Sequence, residues 1–229
     1  MKKHNFSAGP AILPQEVIQG AAEAVLELDD IGLSLIEISH RSNEFKAIME
    51  EACDLALQIL GLEGKGYKAM YLQGGASMQF LMTAYNMLES KAGYVNSGTW
   101  STKAIKEAKF LGDVIELASS KDKNFNYIPK GYDIPNDLDY LHITSNNTIF
   151  GTQYKNLPET SVPLVADMSS DIFSRPLDYS KFDLFYAGAQ KNMGPSGVTL
   201  VIIKETAFNK VTRSIPSMLN YEIQANAGS

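Results

Sequence analysis

DLFYAGAQKNMGPSGVTLVII, residues 183–203, holds two apolar runs joined by a turn of small residues. Leu184–Tyr186 and Val198–Ile203 read as buried strands, short, apolar and rich in β-branched or aromatic side chains. Between them lie Gly188-Ala189-Gln190-Lys191 and Gly194-Pro195-Ser196-Gly197. Lys191 therefore stands at a strand end among neighbours small enough to admit a bulky planar ligand. Partial desolvation there lowers an amine's pKa and makes it a nucleophile, the setting of a Schiff-base lysine. Most lysines are simply solvated loop residues, so the rest of the chain has to favour the chemical reading.

Outward from this stretch, short apolar runs alternate with helical periods. YKAMYLQ (67–73) is followed by a Gly-Gly turn and a helical stretch from Met78 to Leu88. Tyr94–Asn96, Asp113–Leu117, Leu141–Thr144 and Leu164–Ala166 are further strand candidates. This order predicts an α/β fold, a three-layer α/β/α domain with a mainly parallel central sheet covered on both faces. Upstream, Pro14 in a first helical turn and Val17, Ile18, Ala21, Val25 and Leu28 predict one helix. Phe45, Ile48, Met49, Ala52, Leu55, Ile59 and Leu60 predict a second, which Gly61 closes. Residues 119–139, with Pro129, Gly131 and Pro135, read as an irregular surface excursion. No repeat or linker divides the chain, so residues 1–229 are read as one domain with an N-terminal helical segment.

Three other positions carry chemistry. Asp167 ends the strand LVAD, where ligands collect in open α/β sheets, and a carboxylate there can keep a pyridine nitrogen protonated. A helix N-cap ahead of Met168-Ser169-Ser170 is the equal alternative. Gln73-Gly74-Gly75-Ala76-Ser77 leads from a strand into a helix, whose free N–H groups and the Ser77 hydroxyl form an anion cradle, although most such glycine pairs are only turns. Trp100, after Ser97-Gly98-Thr99, can stack on a flat ring or simply pack in the core. Thr148, in Ser145-Asn146-Asn147-Thr148, can bond a ring hydroxyl oxygen or belong to an ordinary Asn-rich turn. Phosphate cradle, tryptophan, aspartate and lysine follow one another as in a fold-type I enzyme of pyridoxal 5'-phosphate (PLP).

Bulk properties set the limits. A chain of 229 residues, 45% hydrophobic, can bury a full core. A net charge of −6 without clustered Lys and Arg excludes a general nucleic-acid surface and leaves small-molecule substrates. Cys53 is the single cysteine, which excludes an intramolecular disulfide or a Cys-rich metal site; no metal is expected, and Cys53 is read as core packing. MKKHNFSAGP has no apolar leader behind its lysines, and no stretch reaches the length of a membrane span, so a cytoplasmic protein without a membrane partner is expected.

Four strings together, Asn5-Phe6-Ser7-Ala8-Gly9-Pro10, Ile38-Ser39-His40-Arg41-Ser42, Gly74-Gly75-Ala76-Ser77 and Tyr186-Ala187-Gly188-Ala189-Gln190-Lys191-Asn192, resemble the phosphoserine aminotransferases, PLP enzymes of class V. The resemblance covers essentially the whole chain, and His40-Arg41 and the Ala-Gly-Ala-Gln-Lys-Asn run are its most specific parts. It implies Lys191 as Schiff-base residue and proton shuttle, Asp167 on the pyridine nitrogen, Trp100 on the ring and Thr148 at the ring oxygen. Ala76, Ser77 and Gln190 then correspond to phosphate-binding positions, and Arg41 with His40 beside it to the group that binds an acidic part of the substrate. For Arg41 the ordinary alternative is a surface ion pair with Glu44.

The reaction implied is amino transfer between O-phospho-L-serine and 2-oxoglutarate, giving 3-phosphooxypyruvate and L-glutamate, with 4-phosphooxy-L-threonine also accepted, in serine and pyridoxine biosynthesis. A homodimer with sites at its interface is implied too. Some members carry Gly-Arg where this chain has Ala76-Ser77, so one contact to the substrate phosphate has to come from elsewhere. The chain stops at Asn226-Ala227-Gly228-Ser229 where the family continues, and the small C-terminal domain is expected to be absent. Two rivals remain: another class-V enzyme, such as an alanine:glyoxylate-type aminotransferase or a cysteine desulfurase relative, and a fragment that folds without catalysis. Cys53, inside an amphipathic helix, speaks against the desulfurase.

Overall fold

The structure is a computed structural model that describes residues 3–227. Met1, Lys2, Gly228 and Ser229, on which the expectations about a leader and a continuation partly rest, lie outside the described residues. Helix α1 spans Gln15–Leu26, with Pro14 at its N-cap rather than inside its first turn. Val17, Ile18, Ala21 and Val25 follow the anticipated spacing, whereas Leu28 falls beyond the helix end and is buried; none of the helix is buried, and Val17 and Ile18 keep 50% and 43% of their surface. Helix α2, Asn43–Ile59, starts where the Ser42 hydroxyl accepts the Phe45 N–H, and Gly61 beyond its end takes the left-handed φ of 65° that a glycine C-cap allows.

From Tyr67 onward strands and helices alternate. Strand β1 (Tyr67–Gln73) leads into α3 (Ala76–Met87), β2 (Lys91–Asn96) into α4 (Thr99–Ala108), and β3 (Asp113–Ser119) into the irregular segment read from the sequence. Then follow β4 (Tyr140–Thr144), the two-residue strands β5 (Asn146–Asn147) and β6 (Thr152–Gln153), β7 (Leu164–Asp167), β8 (Leu184–Gly188), β9 (Val198–Lys204) and a terminal helix α5 (Tyr221–Ala227). Seven strands form one sheet in the order β1-β9-β8-β7-β4-β2-β3. β2, β3, β4, β7 and β8 pair in parallel, whereas β9 runs antiparallel to both β8 and β1.

Burial on both faces follows from the alternation of side chains along each strand. In β8, Phe185 and Ala187 enter one core cluster and Leu184 and Tyr186 the other; in β9, Leu200 and Ile202 part from Val201 and Ile203 in the same way. α3, α4 and Tyr221 of α5 belong to the second face, while the first is covered by α2 and by irregular segments around Ile134, Tyr154 and Tyr179. The three layers of the α/β reading are present, one of them only partly helical. The β5–β6 pair had no legible period, being two polar residues per leg. No helix among the described residues is long and apolar enough to cross a membrane.

Phe185 is fully buried between the rings of Tyr179 and Phe182, with centroids 5.5 and 5.7 Å away. Phe185→Ala should cost about 3–5 kcal/mol of unfolding free energy, read from the denaturant midpoint at unchanged slope.

Candidate active site

Parallel pairing sets the site. Register places Thr144, the last residue of β4, opposite Asp167, the last of β7, and Asp167 opposite Tyr186 of β8. The helices α3 and α4 start above the same edge, since each follows directly on a strand that ends there. One pocket is therefore walled by Ala76 and Ser77 from the first turn of α3, Trp100 from the first turn of α4, Asp167, and Gln190 and Lys191 from the turn after β8. Thr148 joins them from the turn between β5 and β6, and its Oγ1 accepts a hydrogen bond of 2.7 Å from Lys191 Nζ. The Lys191 ammonium end also stands 5.8 Å from the Trp100 ring centroid.

Of the residues singled out in the sequence, His40 and Arg41 alone are not brought to this pocket. They lie exposed on the loop before α2, and Arg41 makes no ion pair with Glu44 among the described residues. Gly75 of the cradle motif lines the pocket too; conversely, Phe80, Thr144, Asn146, Ser169 and Ser170 line it without having been singled out. The two serines lie two and three residues beyond Asp167, so nearness in the chain was the available signal. The N-terminal strap is a further wall. Ala11 N–H donates to Gln190 O at 2.8 Å, and a Cβ on Gly9 would stand 3.0 Å from Lys191 Cγ.

Charge in the pocket is held against desolvation. Asp167 is buried and its carboxyl is raised above the usual carboxylate range by that burial. Ser169 opposes the shift, its N–H and hydroxyl donating to Oδ1 at 3.0 and 2.6 Å, and the Lys191 charge opposes it further. No helix follows Asp167, so the N-cap alternative does not apply; the carboxylate instead closes a tight turn on Ser169. Burial likewise pushes the Lys191 amine below the usual lysine range, against the pull of Asp167. Cys53, half-buried in α2, has its thiol raised by burial and by Asp54, the reverse of what a nucleophilic cysteine needs.

A flat aromatic ring carrying a phosphate fits these walls. Trp100 Nε1, Thr144 Oγ1 and Gln190 Oε1 are buried polar atoms without a hydrogen-bond partner, which buried groups ordinarily find. Both hydrogen bonds to the Asp167 side chain end on Oδ1, which leaves Oδ2 for a ligand. The first N–H groups of α3 have no acceptor inside their helix and suit an anion. Space is kept by missing side chains: a Cβ on Gly98 would collide with the Asn147 amide, and one on Gly188 would meet Gln190 Oε1 at 2.7 Å. A larger hollow of about 680 Å³ lies among Tyr127, Tyr132, Tyr154 and Leu157, but the buried acid and the desolvated amine are in the smaller pocket, of about 100 Å³.

The family described as Aminotransferase class-V matches residues 3–219 of this chain. A phosphoserine aminotransferase of Flavobacterium johnsoniae is 62% identical over all of this chain, which spans 65% of that relative's length. Among solved structures, the phosphoserine aminotransferase of Bacillus circulans subsp. alkalophilus superimposes with a TM-score of 0.93 at 46% identity, over 98% of this chain and 63% of that one. A PLP-bound phosphoserine aminotransferase of Trichomonas vaginalis gives a TM-score of 0.91 at 30% identity, over 99% of this chain and 65% of that one. The chain thus spans less than two thirds of the length of these proteins.

A carboxyl whose folded-state pKa is raised costs stability wherever it is ionised, above that pKa, and costs nothing below the unfolded value of about 3.9, where both states are protonated. Asp167→Asn keeps the Oδ1 acceptor for Ser169 and removes the charge. The cofactor-free variant should therefore melt above the wild-type chain at pH 7, with the difference shrinking to nothing as pH falls toward 3.5, as followed by calorimetry.

Proposed function

The chain belongs to the class-V aminotransferase family, and from that premise we propose that it is the cofactor-binding large domain of a phosphoserine aminotransferase whose small C-terminal domain is not in this sequence. The reaction is amino transfer between O-phospho-L-serine and 2-oxoglutarate, giving 3-phosphooxypyruvate and L-glutamate, with 4-phosphooxy-L-threonine as a further substrate. The observation that carries the reading is the convergence of a buried acid, Asp167, and a desolvated amine, Lys191, on a pocket with unsatisfied polar walls and a helix N-terminus.

PLP, when bound, supplies an electron sink for the negative charge left on a substrate carbon that loses its proton. Asp167 Oδ2 would hold a proton on the pyridine nitrogen, and burial of the carboxylate would make that charge pairing strong. Lys191 Nζ, neutral more readily than an ordinary lysine, would hold the cofactor and would take the proton from the substrate Cα and return one. Thr148 Oγ1 would orient the ring oxygen side, Trp100 would supply a flat wall, and Ala76 N–H, Ser77 and Gln190 would hold the phosphate. Arg41 and His40, exposed on their loop, bind the anionic end of the substrate when a second copy of the chain brings them to the pocket; a cytoplasmic homodimer completes the site.

A second reading has its own observation. Among the described residues Lys191 is the sole cationic side chain lining the pocket, so these residues by themselves offer no clamp for a doubly anionic substrate. On that reading it binds PLP without turning substrate over.

Added PLP should give a visible band that borohydride fixes as a label on the peptide carrying Lys191, and Lys191→Ala should lose both. A label on another lysine overturns the assignment. Attack requires the neutral amine, so the rate of uptake should rise with pH through a midpoint below the ~10.4 of a free lysine. O-phospho-L-serine should then bleach the band in a single turnover. Bleaching by alanine instead favours the glyoxylate-type enzyme, and no bleaching by either favours the second reading.

A further inference from the structure

We infer that Asp171 is a positioning residue of this site: its buried carboxylate clamps both legs of the β5–β6 hairpin and so fixes where Thr148 stands against Lys191. The inference rests on the reading of Lys191 and Thr148 given above, and it can fail separately from it.

The hairpin that carries Thr148 has little of its own to hold it. Its ladder is two residue pairs, Asn146 with Gln153 and Asn147 with Thr152, flanked by the bonds from Tyr154 N–H to Ser145 O at 2.9 Å and from Gly151 N–H to Asn147 O at 2.8 Å. Far longer isolated hairpins are only marginally stable in water. Side chains must therefore anchor it: in the first leg Asn146 Nδ2 donates to Ser170 Oγ at 2.8 Å and Asn147 Nδ2 to Ser97 O at 2.6 Å, and the anchors that reach both legs converge on Asp171. The Ser145 hydroxyl, just before the first leg, donates to Asp171 Oδ1. Gln153 Nε2, on the second leg, donates to Oδ2 at 3.2 Å. Arg175 Nη2 reaches Oδ2 at 3.4 Å and also donates to Tyr154 O at 2.6 Å, which ties the end of the second leg to the same group. Ser145 Oγ has one hydrogen and stands 3.1 Å from Asp167 O as well; the carboxylate is the stronger acceptor.

Asp171 is itself only 5% exposed and is held to the sheet: its N–H donates to Met168 O at 3.1 Å, and Met168 N–H to Tyr186 O of β8 at 2.8 Å. The clamp thus references the hairpin to the strand ends that carry Asp167 and Lys191. An ionised carboxylate, which only accepts, suits three converging donors, whereas an amide would turn one N–H₂ toward them. Asp171 does not line the pocket and touches no reacting atom, so whatever it does for Lys191 passes through Thr148.

The test uses the full chain and the substitutions Asp171→Asn and Thr148→Val, singly and together. Without cofactor, hydrogen exchange of residues 145–154 in Asp171→Asn should quicken at least about ten-fold while peptides of β8 and β9 keep their protection. PLP dissociation constants should rise about ten-fold for Asp171→Asn when Thr148 is present and less than about two-fold when it is Val, the non-additivity of groups that act as one. Unchanged exchange in the hairpin, or the same loss of affinity in both backgrounds, overturns the inference. Where Asp171→Asn does not fold, Gln153→Leu frees one leg alone and is read by the same two outcomes. A wild-type chain that takes up no PLP overturns the functional reading, whereas exchange, measured without cofactor, still decides on the clamp.

Discussion

Parallel alignment of β4, β7 and β8 is the constraint from which the rest of this molecule follows. Strands that run the same way finish at the same edge, so the residues that follow them are gathered there whatever their distance in the chain. Thr144, Asp167 and the Lys191 turn lie up to 47 positions apart in sequence and meet because of this register. The same rule brings the first turns of α3 and α4 to the pocket, because each helix begins where a parallel strand has just ended. A one-residue slip between β7 and β8 would turn Asp167 into the opposite face of the sheet and dissolve the arrangement.

Electrostatics then gives the gathered residues their character. Burial disfavours the charged form of both Asp167 and Lys191, and each is the other's partial remedy. The nearby Asp171 carboxylate pushes Asp167 further up, while the sheet layer beneath carries His142 and tyrosines. His142, fully buried, has its imidazole pushed down to about 3 by desolvation, and its Nε2 shares a 2.8 Å hydrogen bond with the Tyr186 hydroxyl. Tyr94 and Tyr140 continue the layer through a hydroxyl pair 2.7 Å apart. The floor under the pocket is therefore polar but neutral, and the acid keeps its affinity for a cation that enters from above.

Much of this was legible in the residues, and the gaps have physical causes. The inner sheet strands announce themselves because burial on both faces demands continuous apolar runs, as in Leu200–Ile203, whereas the edge strands β1 and β3 are only partly buried. Small residues around Lys191 and the strand-end place of Asp167 could be read for the same reason. What could not be read is whatever depends on three-dimensional closure. The β5–β6 hairpin is too short and polar to have a period, and Asp171 looked like any acid in a Ser/Asp-rich turn. In α1 the periodicity predicts an apolar face, but a sequence does not say what that face meets, and none of the described residues buries it. The contact of Gly9 with Lys191 joins positions 182 apart and leaves no local mark on either.

The reversed direction of β9 limits how the lysine moves. β9 sets off from the very edge where β8 stops, with Ala189 N–H bonded to Val198 O at 2.9 Å and Gly188 opposite Thr199. Residues 190–197 are thus a short loop tethered at both feet to the sheet, and Asn192 Nδ2 pins its middle to Ile172 O at 2.8 Å. With its backbone fixed in this way, Lys191 keeps only the torsions of its four-methylene stem, and the strap at Gly9 closes one side of that arc. The amine behaves as a pendulum of fixed pivot, whose travel is set by bond lengths and not by any hinge of the fold.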